Sequence, residues 1–245
     1  MKMNVNQYID HTKLGPTVSK EDVKKLVEEA KKYQFFSVCV NTIWVPYAKE
    51  LVKGSDVKVA TVVGFPHGTH TTAAKAFETE EAIKNGADEI DMVINVAALK
   101  AKDDKLVLEE IKAVVKAAQQ RVVKVIIETC YLTDEEIVRA SKLVLEAKAH
   151  FVKTSTGFGS RGASVKDIEI IDETVNGQAE IKASGGIRNY EDAIQMIEAG
   201  ATRLGASKGV EIMEGVEVDG DTSYWIKWFI TNRKSCINAR RSTKS

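Results

Sequence analysis

Short apolar runs of strand length recur along this chain, and segments with helical periodicity separate them. The eight runs cover residues 8–12, 37–41, 57–63, 89–94, 122–127, 151–154, 180–183 and 203–206. Strands that alternate with helices form parallel sheets, and eight such units close on themselves. The pattern therefore predicts an α/β fold, a (β/α)8 TIM barrel.

Helix start signals agree with this prediction. Ser19 is followed three residues later by Asp22, and Thr133 by Glu136, which is the spacing of a capping box. An open doubly wound sheet is the alternative fold, but no GxGxxG turn follows the first run. The 245 residues fit one barrel, which typically needs about 250. Because no linker-like break precedes residue 215, we expect a single domain over residues 1–215.

Charge balance and cysteine usage exclude several classes of protein. The 35 basic residues equal the 35 acidic ones, so no overall field favours nucleic acid or a membrane surface. The three cysteines lack CxxC spacing and there is no secretory apolar segment, which favours a reducing cytoplasm. No apolar run is long enough to span a bilayer, and the four histidines form no metal-binding motif. We expect a cytoplasmic protein with no metal site and no nucleic-acid or membrane partner.

Polar side chains occur at or just after the carboxyl ends of the predicted strands. They are Asp10, Thr12, Cys39, Asn41, Asp91, Asn95, Glu128, Lys153, Lys182 and Ser207. In a parallel barrel these strand ends share one face, and the catalytic groups of such enzymes lie there. Residues far apart in sequence are thus expected to meet at one mouth.

Two lysines within strand-length runs, Lys153 and Lys182, suggest covalent chemistry. If both face inward, ammonium groups about 4 Å apart repel by roughly 4 kcal/mol at an effective dielectric of about 20. Lowering a lysine pKa to about 7 takes roughly 4.6 kcal/mol. We therefore expect repulsion to supply most of the shift and burial the remainder, which leaves one neutral amine that can form a Schiff base. The alternatives are that Lys153 extends into water and that Lys182 pairs with a phosphate or carboxylate.

Asp91 lies within an apolar strand, where an unpaired carboxylate is costly. It is a candidate for passing protons through a water during imine chemistry. The alternative is a structural ion pair with a buried lysine such as Lys124. Lys124 and Glu128 share a strand face, and we expect them to support the site without taking part in the chemistry.

Glycine-rich turns after the last two strands suggest an anion site. Gly185 and Gly186 precede a helix that starts near Asn189, and Gly205 to Ser207 precede one near Lys208. Such turns present backbone N–H groups at helix N-termini, often after strands seven and eight of these barrels. Gly157 and Arg188 are further candidate donors.

Three further residues lie near the predicted mouth, and for His11 and Cys39 a structural role is the alternative to a functional one. His11 and Thr12 are candidates for substrate contact, although a structural histidine is about equally expected. Cys39 lies in a strand, where a buried inert thiol is more common than a reactive one.

Five segments of the chain resemble a known family. They are Ile-Asp-His-Thr at 9–12, Asp-Met-Val-Ile-Asn at 91–95, Ile-Ile-Glu-Thr at 126–129, Val-Lys-Thr-Ser-Thr-Gly-Phe at 152–158 and Ile-Lys-Ala-Ser-Gly-Gly-Ile-Arg at 181–188. Over residues 6–215 the sequence resembles the deoxyribose-phosphate aldolases, class I aldolases of the (β/α)8 fold. The two lysine motifs carry most of the resemblance.

The resemblance implies reversible cleavage of 2-deoxy-D-ribose 5-phosphate to D-glyceraldehyde 3-phosphate and acetaldehyde. It implies that Lys153 forms the Schiff base, that Lys182 lowers the pKa of Lys153, and that Asp91 joins a proton relay. It also implies no cofactor, a small phosphorylated sugar as partner, and a homodimer. The implied substrate and phosphate contacts are Thr12, Thr156, Gly157, Gly185, Gly186, Arg188, Gly205 and Ser207.

The chain departs from the family at two places. Lys208 stands where the family usually has a small residue, and its charge either aids phosphate binding or points away. Residues 216–224 resemble the family's flexible tail, which ends in a tyrosine here placed at Tyr224, but residues 225–245 continue beyond it. We interpret this extension as read-through or vector-derived sequence, or as an appendage that docks its aromatic residues.

Two other functions remain open from the sequence. A different barrel enzyme, such as another imine-forming lyase or a phosphate-binding isomerase, would keep the glycine turns without needing both lysines. A barrel that binds metabolites without catalysis would not need the intact set of Lys153, Lys182 and Asp91.

Overall fold

The computed structural model describes residues 3–215, which form a closed barrel of eight parallel strands. The strands are β1 Ile9–Lys13, β2 Ser37–Val40, β3 Lys58–Val63, β4 Glu89–Val93, β5 Val122–Ile126, β6 Phe151–Lys153, β7 Glu180–Ser184 and β8 Arg203–Ala206. Each strand pairs with its sequence neighbours, and β8 closes on β1. The predicted (β/α)8 TIM barrel is therefore confirmed, with strand limits within one residue of those expected.

Helices surround the barrel on the outside. They are α1 Lys20–Tyr33, α2 Val45–Leu51, α3 Thr72–Lys84, α4 Val96–Lys100, α5 Asp104–Ala117, α6 Asp134–Glu146, α7 Val165–Val175, α8 Tyr190–Ala199 and α9 Gly209–Glu214. Both predicted capping boxes are present, at Ser19 with Asp22 and at Thr133 with Glu136. In each box the Ser or Thr oxygen accepts a backbone N–H, and the carboxylate accepts the N–H of the cap residue, so the helix starts at that residue.

The strands separate two layers of different chemistry because side chains alternate between the faces of a strand. On β4, Ile90 and Met92 face the helices and belong to the main apolar core, whereas Asp91 lies inside the barrel. On β7, Ile181 and Ala183 likewise belong to that core, and Lys182 is inside. The apolar core thus lies between strands and helices, and the barrel interior contains ionisable side chains.

Several sequence expectations concern parts of the chain beyond the barrel. The expected tail over residues 216–224, including Tyr224, and the extension over 225–245 lie outside the described residues. Within residues 3–215, no helix is long and apolar enough to cross a membrane. The same residues contain no group of three or more His, Cys, Asp or Glu side chains that could hold a metal ion.

Candidate active site

The two predicted lysines meet inside the barrel. Lys153 ends β6 and Lys182 is its register partner on β7, and both side chains enter the barrel interior. The Nζ atoms of both lysines lie 2.8 Å from one oxygen of Asp91, Oδ2. The sequence expectation that two amines crowd together in a buried place is confirmed.

Asp91 contacts three lysines at once. Its second oxygen, Oδ1, accepts a hydrogen bond from Lys124 Nζ at 2.7 Å, and Lys124 is the register partner of Asp91 on β5. The structural ion pair between Asp91 and Lys124 is present, whereas proton transfer by Asp91 stays a prediction. One carboxylate binds Lys124 on one side and the Lys153–Lys182 pair on the other.

Burial is the largest cause of the altered basicity of Lys153. Removal from water lowers the pKa of this lysine, and the neighbouring Lys182 lowers it further, while Asp91 raises it. The expectation that repulsion supplies most of the shift is therefore wrong in its order of causes. Asp91 attracts the Lys153 proton, and its effect on the pKa of Lys153 is larger than the opposing effect of Lys182.

Lys182 and its acidic partners behave in the opposite way. Although burial disfavours the charge, Asp10 and Asp91 raise the pKa of Lys182, with Lys182 Nζ 2.5 Å from Asp10 Oδ2. Burial likewise opposes ionisation of Asp10, but Lys182 and Arg203 hold the pKa of Asp10 below its usual range. Burial raises the pKa of Asp91 too, and Lys124, Lys153 and Lys182 outweigh it, so that pKa lies well below normal. The raised pKa of Lys182 thus favours its charged form beside Lys153.

Further ion pairs lie next to the three lysines that contact Asp91, and no role was predicted for them from the sequence. Arg203, at the start of β8, lies 3.0 Å from Asp10 Oδ1 and 3.1 Å from Glu89 Oε2 through its Nη1. Glu89 Oε2 also lies 2.6 Å from Lys124 Nζ. A usable signal was present in the sequence, because Glu89 and Asp91 alternate on one strand and Arg203 opens an otherwise apolar one.

An open cavity of about 670 Å³ lies above the lysines at the carboxyl ends of the strands. Lys153 lines this cavity, whereas Lys182 and Asp91 lie beneath its surface. The predicted substrate and phosphate contacts all line it, namely Thr12, Thr156, Gly157, Gly185, Gly186, Arg188, Gly205 and Ser207. The structure thus brings every predicted site residue to one place.

Two glycines in the cavity wall are required by the geometry. A Cβ atom on Gly205 would lie 2.3 Å from Ser184 Oγ and 3.1 Å from Lys182 Cε. A side chain there would have to displace the Ser184 hydroxyl and would crowd Lys182. Gly185 has a φ of +80°, and a Cβ on it would lie 3.0 Å from the Cα atom of Gly162. Only glycine adopts this turn without strain, and the turn directs the chain into α8.

Three further cavity residues were missed or left undecided by the sequence analysis. Ser184 is buried, its Oγ has no hydrogen-bond partner, and it lines the cavity. Lys13 also lines the cavity and adds a positive charge at its rim. Lys208 lies at the cavity edge, where its exposed ammonium group is 2.6 Å from Glu211 Oε1. Sequence alternation on β7 places Ser184 on the same face as Lys182, which was the available signal.

The remaining sequence candidates have structural contacts. His11 faces the helices, with Nε2 2.7 Å from Glu29 Oε2 and its ring 5.1 Å from that of Phe35. Cys39 is buried, and burial raises the pKa of its thiol to about 11, which is typical of an unreactive thiol. Glu128 accepts hydrogen bonds from the N–H and hydroxyl of Thr156 and so fixes the loop after β6.

Comparison with known proteins gives a consistent result. A model of the DeoC/LacD family aldolases matches residues 4–216. The deoxyribose-phosphate aldolase of Acholeplasma laidlawii is 59% identical over 222 residues, which are 91% of this chain and 100% of the relative. The deoxyribose-phosphate aldolase of Carboxydothermus hydrogenoformans is 57% identical over 86% of this chain and 95% of its own. The tetrameric deoxyribose phosphate aldolase of Aeropyrum pernix superposes with a TM-score of 0.80 at 31% identity, covering 86% of this chain and 89% of that one.

Proposed function

The chain belongs to the DeoC/LacD family of aldolases, and on that premise we propose that it cleaves 2-deoxy-D-ribose 5-phosphate reversibly to D-glyceraldehyde 3-phosphate and acetaldehyde. The observation that carries this proposal is the contact of Lys153 and Lys182 with the same oxygen of Asp91, directly below the cavity. Relatives that are 57% and 59% identical and named for this activity support the choice of substrate.

Covalent attachment of the sugar falls to Lys153. Its neutral amine attacks C1 of the open-chain aldehyde, and the carbinolamine loses water to give a protonated imine. A neutral nitrogen is needed for attack, and burial of Lys153 together with the charge of Lys182 favours that form. Lys153 reaches the cavity while remaining 4% exposed, so the reacting nitrogen can contact the sugar but little water.

Carbon–carbon cleavage follows from the positive imine. The C3 hydroxyl loses its proton, the C2–C3 bond breaks, and its electron pair moves to the imine nitrogen to give an enamine and glyceraldehyde phosphate. The enamine then takes a proton at C2, and water releases acetaldehyde and the free lysine. We assign the proton transfers to a relay through Asp91, whose Oδ2 contacts both lysines.

The phosphate group would lie at the far wall of the cavity. The turns at Gly157, Gly186 and Ser207 line this cavity together with Arg188, and their backbone N–H groups are the donors we propose for the phosphate. Lys13 adds positive charge nearby, and the unpaired hydroxyl of Ser184 is placed to bind a sugar hydroxyl.

Imine trapping tests the proposal directly. The protein is incubated with 2-deoxy-D-ribose 5-phosphate and cyanoborohydride, and the modified peptide is mapped by mass spectrometry. We expect a reduced adduct on Lys153 and none in a Lys153→Met variant. An absent adduct, or one on Lys182, would contradict the proposal, and adducts formed only with other aldehydes would indicate a different imine-forming lyase of this fold.

Assembly and location are separate proposals. We infer a cytoplasmic homodimer from the sequence resemblance and cysteine usage, although the Aeropyrum pernix relative is tetrameric. Light scattering coupled to gel filtration measures the mass of the assembly in solution. A mass of two chains, each of 26.9 kDa, is expected, and four would favour the tetramer.

A further inference from the structure

The ion pairs inside the barrel form one connected cluster with unequal numbers of acids and bases. Within residues 3–215, its basic members are Lys124, Lys153, Lys182 and Arg203. Its acidic members are Asp10, Glu89 and Asp91. Four bases against three acids leave one positive charge in excess if every group is ionised.

An excess charge among buried groups is costly because burial removes much of the stabilisation that bulk water gives an ion. The cluster becomes neutral if one base gives up its proton. Arg203 cannot do so, since guanidinium stays protonated in proteins. Lys182 contacts both Asp10 and Asp91, and Lys124 contacts both Glu89 and Asp91, so each has two carboxylates to hold its proton.

Lys153 is the member with the weakest hold on its proton. In the described part of the chain, Asp91 is the single carboxylate within ion-pair distance of Lys153 Nζ, at 2.8 Å. That oxygen is shared with Lys182. The cluster therefore reaches neutrality by leaving Lys153 uncharged, and the excess of one base determines that a neutral amine exists at all.

We propose that Arg203 and Glu89, at the opposite end of the barrel from the cavity, are positioning residues that control the reactivity of Lys153 by fixing the charge balance of this cluster. The proposal rests on the function proposed above and adds two residues that do not line the cavity. Both are buried, and the Arg203 guanidinium packs 3.5 Å from the centre of the Phe36 ring.

The strand register sets the distance over which these residues act. Lys153 pairs with Lys182 across one strand boundary, and Lys182 pairs with Arg203 across the next. Two strand spacings amount to about 10 Å. At an effective dielectric of about 20, unit charges at that separation interact by an amount equivalent to about one pH unit.

The other groups around Lys153 enter the same balance. Asp91 on β4, Lys182 on β7 and the buried thiol of Cys39 on β2 face it directly. Lys124 on β5 and Asp10 on β1 reach it through Asp91 and Lys182. Arg203 and Glu89 are the members that can be changed without altering a direct neighbour of Lys153.

Opposite charge changes should move the pH profile in opposite directions. Arg203→Gln removes a positive charge, so Lys153 retains its proton and the acid limb of kcat/KM for 2-deoxy-D-ribose 5-phosphate should move up by about one pH unit. Glu89→Gln removes a negative charge, and the limb should move down by about one unit. The double variant Glu89→Gln/Arg203→Gln restores the balance, so its profile should return close to that of the unchanged protein.

Matched controls separate charge from structure. Lys166→Gln breaks the exposed pair with Asp134 and should leave the profile in place. Melting temperatures show whether each variant is folded. Arg203→Lys keeps the positive charge, so its pH profile should match that of the unchanged protein. If Arg203→Gln does not fold, Arg203→Lys and Glu89→Gln are compared instead.

The possible outcomes are distinct. Shifts of opposite sign that cancel in the double variant support the proposal. Shifts of the same sign, or folded variants with unmoved profiles, would overturn it, since Lys124 or another group would then absorb the charge. If the unchanged protein forms no adduct on Lys153, the proposed function itself fails, whereas an adduct with unmoved profiles refutes only the charge-balance mechanism.

Discussion

Two buried lysines in this protein both have a lowered pKa, but their surroundings differ. Burial is the largest cause that lowers the pKa of both Lys153, inside the barrel, and Lys75, on α3. Lys75 Nζ donates to Glu110 Oε1 at 2.6 Å and to the carbonyl oxygens of Gly68 and Val93, each at 2.8 Å. Its three N–H groups are therefore all used.

Lys153 differs in access and in hydrogen bonding. It lines the cavity, and in the described part of the chain its Nζ donates to one carboxylate oxygen, Oδ2 of Asp91. Lys75 instead ties the loop after β3 to the end of β4 and has no exposed surface. Under the proposed function, a lowered pKa is insufficient for nucleophilic chemistry, because the nitrogen also needs a free lone pair and a path to substrate.

The largest effect should come from removing the accessible lysine. Lys153→Met should lower kcat by at least about 10,000-fold, because the covalent route is lost. Steady-state cleavage of 2-deoxy-D-ribose 5-phosphate measures it, and the melting temperature should stay close to its original value. Activity within tenfold of the unchanged protein would show that Lys153 is as structural as Lys75.

The enclosed lysine should affect stability and leave the chemistry intact. Lys75→Met strands the Glu110 carboxylate in the interior and should lower the free energy of unfolding by about 3–5 kcal/mol. Urea denaturation measures this, and folded protein should still form the Lys153 adduct. Lys75→Met/Glu110→Leu removes both charges and should recover most of the loss. If Lys75→Met kept full stability but could not form the Lys153 adduct, the prediction would be contradicted, because Lys75 would then act in the chemistry as Lys153 does.

A second ammonium group distinguishes the environment of Lys153 from that of Lys75. Lys182→Leu removes the repulsion, so the pKa of Lys153 rises and the neutral amine appears only at higher pH. The acid limb of kcat/KM should move up by about two pH units for charges about 5 Å apart. Lys166→Leu, on the exposed surface, serves as the control. An unmoved limb would leave burial as the sole cause, as it nearly is for Lys75.

An exposed lysine sets the lower limit of the comparison. The ammonium group of Lys208 pairs with Glu211 in solvent, and surface pairs contribute little. Lys208→Ala should therefore change KM for the phosphorylated sugar by less than about threefold. A tenfold rise in KM would show that this side chain leaves Glu211 and binds the phosphate.

Much of the site was predictable because the pattern of strands fixes which positions face inward. Once Ile181 and Ile90 are assigned to the apolar core outside the strands, alternation places Lys182 and Asp91 inside the barrel. The structure has Lys182 and Asp91 buried in the barrel interior. His11 shows the same rule on β1, where it faces α1 between the inward-facing Asp10 and Thr12.

Other parts of the site depend on how the barrel closes. Arg203 pairs with Lys182 on the neighbouring strand, but its side-chain contacts with Asp10 and Glu89 join residues more than a hundred positions apart. No local pattern encodes these contacts. The error in the order of causes at Lys153 has the same origin, because the offset by Asp91 depends on which carboxylate oxygen both lysines share.

The amino-acid sequence by itself determined the alternation of strands and helices, the helix starts, and the presence of two lysines and an aspartate on inward positions. These follow from local periodicity and capping chemistry, which act over a few residues. Only the closed barrel decided that Lys153 contacts one shared carboxylate and lines an open cavity. Lys182, in contrast, contacts two carboxylates and does not line that cavity. Protonation in a buried cluster depends on every charge within about 10 Å, and only the tertiary structure brings those charges together.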